Sequence, residues 1–183
     1  MKQMTGQAGY LKFGPLNVGL VAFFCLPWLL LSGCMGYRVG GHLPPGIASV
    51  FVPTVENDSG EPQLEASTTA AIIERFQSDG RLAIRDAETA DAWVEVRITD
   101  SEIIPLRYDR DTAVTATEYR LTLFAETTLI RRDDETRILD RYPVEGWVEF
   151  RTDGDLSSAR RAALPEASRE LGRQVVRAIV EYW

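Results

Sequence analysis

The stretch AWVEVRI at residues 92–98 decides how this chain folds. In an extended backbone Ala92, Val94, Val96 and Ile98 point one way, while Trp93, Glu95 and Arg97 point the other, with Thr99 continuing their side. A helix would scatter these residues around its circumference, so the stretch reads as a strand with one face buried. The same period of two recurs downstream. Tyr119, Leu121, Leu123, Ala125 and Leu129 share a face in 117–131, and Ile138, Tyr142, Val144, Val148 and Phe150 share one in 138–150. RRDDETR (131–137) supplies a polar hairpin turn between these two strands. PLRYDRDTAVTA (105–116) reads as a long irregular loop between the first two.

Working outward, IASVFVP (47–53) is a short β-branched strand closed by a proline, and TVENDSGEP (54–62) is dense in turn formers. Leu64, Thr68, Ile72 and Phe76 then recur every four residues with Ala71 on the same side. That spacing predicts a helix over Leu64–Ser78, stopped by Gly80. LAI (82–84) is a short extended piece. Near the C-terminus Leu171, Val175 and Ile179 are again four apart, with Ala178 and Tyr182 alongside, so 156–183 is helical. Pro165 is expected in the first turn of the main helix, with Ser157 and Ser158 opening a preceding turn. The order is strand, helix, three or four strands, helix. It predicts an α+β two-layer sandwich, with two helices packed on one face of a mixed four- to five-stranded sheet.

The N-terminus is different in kind. It holds Lys2 and Lys12, no acidic residue up to Cys34, and an uncharged run from Phe13 to Ser32, the pattern of a secretory signal. Pro15, Gly19 and Pro27 interrupt that run, which argues against a membrane-spanning anchor of about 20 apolar residues. Leu31, Ser32 and Gly33 precede Cys34 and resemble the bacterial lipobox. The expected chemistry is cleavage between Gly33 and Cys34, with diacylglycerol on the thiol and an N-acyl chain on the new terminus. Several acyl chains hold a domain to a bilayer stably where one does not. The expected division is therefore 1–33 as a removed signal peptide, 34–46 as a lipidated tether and 47–183 as one globular domain. Cys25 leaves with the signal, so the domain has no disulfide. A mature chain of this size buries roughly 70% of its unfolded surface without one.

Charge and chemistry narrow the function. The chain has 20 basic and 27 acidic residues, a net charge of −7, and removing the two signal-peptide lysines makes the mature charge −9. Such a domain is a poor match for nucleic acid, where affinity comes from neutralising phosphates. His42 is the only histidine and lies in the tether, with no nucleophile held beside it. DRDTAVTATEYR (109–120) opens like a calcium loop at Asp109 and Asp111, but it lacks the sixth-position glycine and ends in Arg120. Asp133, Asp134 and Glu135 read as a solvated turn. No zinc spacing, phosphate loop or dinucleotide fingerprint is present. The expectation is no catalytic residue, no metal and no enzyme, and no cofactor beyond the lipid on Cys34.

One feature points to a partner. The outer face of the predicted sheet carries Trp93, Phe124, Ile130, Leu139 and Trp147 among Glu95, Arg97, Arg120, Glu145 and Glu149. Large apolar groups on a charged surface mark a contact site, and aromatic cross-strand pairs that only stabilise the sheet are the alternative. Trp93, Phe124 and Trp147 are the candidate partner contacts.

An ordered set of segments also carries a resemblance. Cys34, Gly36 and Tyr37, then LPPGIASVFVP (43–53), VENDSGEPQLE (55–65), RFQSDGRLAI (75–84), ADAWVEVRI (90–98) and EYRLTL (118–123) together resemble the LPS-assembly lipoproteins of the LptE family. The resemblance implies an outer-membrane lipoprotein whose domain lies on the periplasmic side or inside an LptD-type β-barrel as a plug. The pair would place lipopolysaccharide in the outer leaflet. It also implies lipopolysaccharide contact through basic side chains, for which Arg107 and Arg110 on the loop, or Arg131 and Arg132 at the hairpin, are the candidates. Met35 follows the cysteine where an aspartate would favour the inner membrane. The rival readings are a lipoprotein that activates a peptidoglycan synthase, of the LpoB kind, and a stand-alone lipid or glycan binder.

Overall fold

The alternating stretches form three long antiparallel strands, with shorter parallel strands against one side of the first. The computed structural model describes residues 45–108 and 116–181. Along the chain come β1 (Ser49–Phe51), β2 (Glu56–Asn57), α1 (Leu64–Asp79), β3 (Ala83–Ile84), β4 (Ala92–Tyr108), β5 (Ala116–Arg131), β6 (Arg137–Arg151) and α2 (Leu156–Glu181). The sheet order is β3-β1-β4-β5-β6, and β2 pairs with β4 beyond the end of β1. This is the expected α+β arrangement, with six strands where four or five were expected. The additional strand is β2, which lies within 54–62, read as turn formers; like β1 it is parallel to β4 (Val50 opposite Ala92, Glu56 opposite Arg97).

The sheet's helix-facing side is built from aligned triplets: Val94–Leu129–Leu139, Ile98–Ala125–Val144 and Ile103–Leu121–Val148. Leu64, Ile72 and Phe76 of α1 and Leu171, Val175 and Ile179 of α2 close over them in one buried cluster. Two glycines set how near the layers come. A methyl group added to Gly146 would sit 2.5 Å from the Leu171 Cα, and one on Gly172 would meet the α1 backbone at Ala71 and Ile72 at 3.0–3.1 Å. Where the helices cross, buried Ser168 meets the Ser67 hydroxyl at 3.1 Å and accepts from the Thr68 hydroxyl at 3.3 Å.

Three expectations are corrected. Of the loop expected at 105–116, the described residues, 105–108 and 116, are strand: Pro105 lies opposite Tyr119, Arg107 opposite Glu118 and Tyr108 opposite Ala116, with bulges on either side of Arg107. A proline is tolerated there because β4 is an edge strand beyond Ile98. Leu139 faces the helices and is 4% exposed, because Asp140–Arg141 forms a bulge that reverses the alternation. Arg141 adopts φ 43° there and its N–H donates to the Thr128 hydroxyl. Pro165 lies inside a single continuous α2. The helix instead starts at Asp155, whose carboxylate accepts from the Ser157 and Ser158 N–H groups. Burial of Ala163, Leu164, Ala167 and Ser168 around the proline keeps the helix unbroken.

Candidate functional site

The side of the sheet opposite the helices carries the candidate site. Cross-strand register places Trp93–Ile130–Arg137, Arg97–Glu126–Pro143, Asp100–Phe124–Glu145, Glu102–Thr122–Trp147 and Ile104–Arg120–Glu149 in successive rows across it. Trp147 is 48% exposed, and the Arg120 guanidinium carbon lies 4.5 Å from its ring centroid. Arg120 Nη2 also donates to Glu149 Oε1 at 2.7 Å, so the cation is held over the indole by its own carboxylate partner. Phe124 is a diagonal neighbour of Trp147, two residues along the adjoining strand.

Trp93 does not join them. It lies six residues from Phe124 along β5, about 20 Å at strand spacing. Its ring is half-buried, and its Nε1 donates to the Ala87 carbonyl at 3.2 Å. Of the three aromatic candidates, two form a patch and the third anchors a loop.

The arginine candidates are also separated. Arg107 sits on the distal end of the hairpin, 3.4 Å from Glu118, which also faces Arg151 at 3.6 Å. Arg131 and Arg132 lie at the opposite end, thirteen residues along β5 and so about 43 Å away. Arg131 Nη1 donates to the Pro45 carbonyl, and Arg132 Nε donates to the Ala90 carbonyl at 2.6 Å. Arg131 therefore ties the end of β5 to the segment before β1, and Arg132 ties it to the connection before β4. Arg110 lies outside the described residues, as do Gly33 and Cys34 with the whole signal segment. Three other arginines, Arg97, Arg137 and Arg141, surround a groove of about 600 Å³ together with Glu56, Glu95 and Glu126. Arg97 pairs with Glu56 at 2.9 Å and Asp58 at 3.4 Å, and Arg137 with Asp140 at 3.1 Å, so the groove is mixed in charge. Arg141 keeps the parity of Pro143, Glu145 and Trp147, so strand alternation already assigns it to this side.

Two polar knots hold the frame. Asp91 Oδ2 accepts from the Ala48 N–H, the Ser49 N–H and the Ser49 hydroxyl at 2.7–3.0 Å. The hydroxyl contact foremost, then the Ala48 amide, holds its carboxyl below the usual aspartate value. Asn57 organises the β2–α1 connection: its Nδ2 donates to the Glu61 carbonyl and to Glu65 Oε1, and its Oδ1 accepts from the Ser59 N–H and hydroxyl. Arg160 of α2 pairs with Glu61 and ties the helix layer to the same loop. VENDSGEPQLE is thus a scaffold, and its turn-forming composition was the legible sign of it.

A family model described as LptE, lipopolysaccharide-assembly, matches residues 47–179. No curated protein matches the chain. Among solved structures, hypothetical protein CT253 from Chlamydia trachomatis is similar with a TM-score of 0.50 at 10% identity, covering 73% of this chain and 95% of that one. A minor lipoprotein from Acinetobacter baumannii is similar with a TM-score of 0.48 at 10% identity over 73% and 92% of the two chains. The PelC dodecamer from Paraburkholderia phytofirmans is similar with a TM-score of 0.44 at 13% identity over 77% and 93%. At 10% identity the likeness to CT253 speaks to fold alone.

Proposed function

Because this chain belongs to the LptE family of lipopolysaccharide-assembly proteins, we propose that it is an outer-membrane lipoprotein that plugs and supports an LptD-type β-barrel. In this reading Cys34 carries the diacylglycerol and N-acyl chains, 1–33 is removed and 34–46 is the tether. The globular domain enters the barrel from the periplasmic side and assists delivery of lipopolysaccharide to the outer leaflet. The protein supplies a surface to its partner and no reaction of its own.

The observation that carries the reading is the open sheet face, which bears Trp147 and Phe124 with no helix over them among the described residues. A face left to water alone would be expected to alternate polar residues outward. Lipopolysaccharide contact is assigned to Arg107, with Arg110 as its sequence neighbour outside the described residues, in preference to Arg131 and Arg132, whose guanidinium groups already bind backbone carbonyls.

The test is a tagged pull-down from detergent-solubilised envelope with the intact mass of the mature chain read from the same sample. The expected result is a chain beginning at acylated Cys34 in one-to-one ratio with the LptD-type barrel. Acylated chain with a peptidoglycan synthase and no barrel would move the protein to the enzyme-activator class. Lipopolysaccharide bound by the purified domain with no barrel captured would make it a stand-alone binder.

A further inference from the structure

Beyond Ile98, β4 has only β5 as a neighbour among the described residues, and β6 forms the other edge. Both edges are blunted. Bulges flank Thr99 and Arg107, Pro105 lies between them, and β6 carries Pro143 and the Asp140–Arg141 bulge. Strand addition is therefore disfavoured at either edge, and the recognising chemistry lies in side chains on the open face.

Those side chains form a band across the middle of the sheet. One row reads Asp100–Phe124–Glu145 and the next Glu102–Thr122–Trp147, so two aromatic rings lie amid three carboxylates. Asp100, Glu102 and Glu145 are exposed, and none is in an ion pair among the described residues. The neighbouring rows are balanced by contrast: Arg97 with Glu56, and Arg120 with Glu149. Negative charge unpaired among the described residues thus coincides with aromatic surface, exposed at Trp147 and half-buried at Phe124.

We propose that this band docks a protein surface bearing arginine and lysine side chains, with the partner's cations lying against Phe124 and Trp147 and pairing with the three carboxylates. Arg120 already makes this type of contact within the chain, stacking on Trp147 while bonding Glu149. A guanidinium satisfies both an aromatic face and a carboxylate, which suits it to such a surface. The band's charge opposes the other occupants. A second copy would set carboxylates against carboxylates, and anionic headgroups or glycan phosphates would be repelled. The inference rests on the barrel-plug reading, under which the basic surface belongs to the barrel wall.

The test uses the full lipidated chain co-expressed with the LptD-type barrel and compares wild type with D100N/E102Q/E145Q at rising salt. These groups are exposed, so the amides leave the fold in place, which a matching thermal unfolding curve verifies. Capture by the variant is expected to be about tenfold weaker with a flatter salt dependence. Equal capture with equal salt dependence would overturn the band while leaving the plug reading standing. Stronger capture, or new self-association of the variant, would also overturn it, because the band would then act by repulsion. A wild-type chain that captures no barrel would remove the plug reading itself.

Discussion

Residue by residue, the fold is most sensitive where space or a proton is shared. Gly146 brings β6 against Leu171 so closely that Gly146→Ala forces the layers apart. Overpacking of this kind costs about 1–3 kcal/mol. Urea unfolding should show that loss, and an unchanged midpoint would mean that α2 shifts freely. Asp91 gives a pH signature. Its folded pKa lies below the unfolded value, so its contribution is present above that value and lost as pH falls through the acid range below about pH 4. Asp91→Asn should flatten stability against pH in that window and leave the alkaline side unaltered, and a wild-type acid slope in the variant would contradict this. Trp93 and Trp147 looked equivalent in sequence, since both stand out of phase with the apolar positions of their strands. The hydrogen bond to Ala87 separates them. Trp93→Ala should lower the melting temperature, while Trp147→Ala should leave stability within about 0.5 kcal/mol, as for other exposed positions. Equal effects would show that the two rings have the same role.

At the scale of elements, local pattern and long-range packing disagree at two places. The helix periodicity of α2 was plain, but Pro165 suggested a break that the molecule does not make. A proline in a helix interior removes one backbone hydrogen bond and costs about 3 kcal/mol. Buried neighbours on both sides of it offset that cost. Pro165→Ala should therefore stabilise the protein by about 1–3 kcal/mol, read as a raised melting temperature. A fall would mean that the proline shapes a bend that the packing requires. The second disagreement is the β4–β5 hairpin. Turn-forming residues in 105–116 hid the continuation of both strands, because an edge proline costs little when no partner strand needs its N–H.

For the whole molecule, the sequence by itself determined the fold class, both helices, the three long strands and most of the core face. Hydrophobic period is a local property, and burial of one face per element leaves few ways to assemble two helices and a sheet. The composition likewise determined that the domain is acidic and has no disulfide to rely on. It also carried the family likeness, through VENDSGEPQLE and AWVEVRI. Tertiary structure alone decided which surface residues stand together. The bulge at Asp140–Arg141 turned Leu139 inward, and cross-strand register put Phe124 beside Trp147 while leaving Trp93 about 20 Å away. Register arises from pairing between distant segments, and a one-residue bulge inverts every side chain beyond it. Neither is written in any single stretch of the chain. The balance of charge across the open face follows the same logic, because an arginine is neutralised by the neighbour that folding gives it.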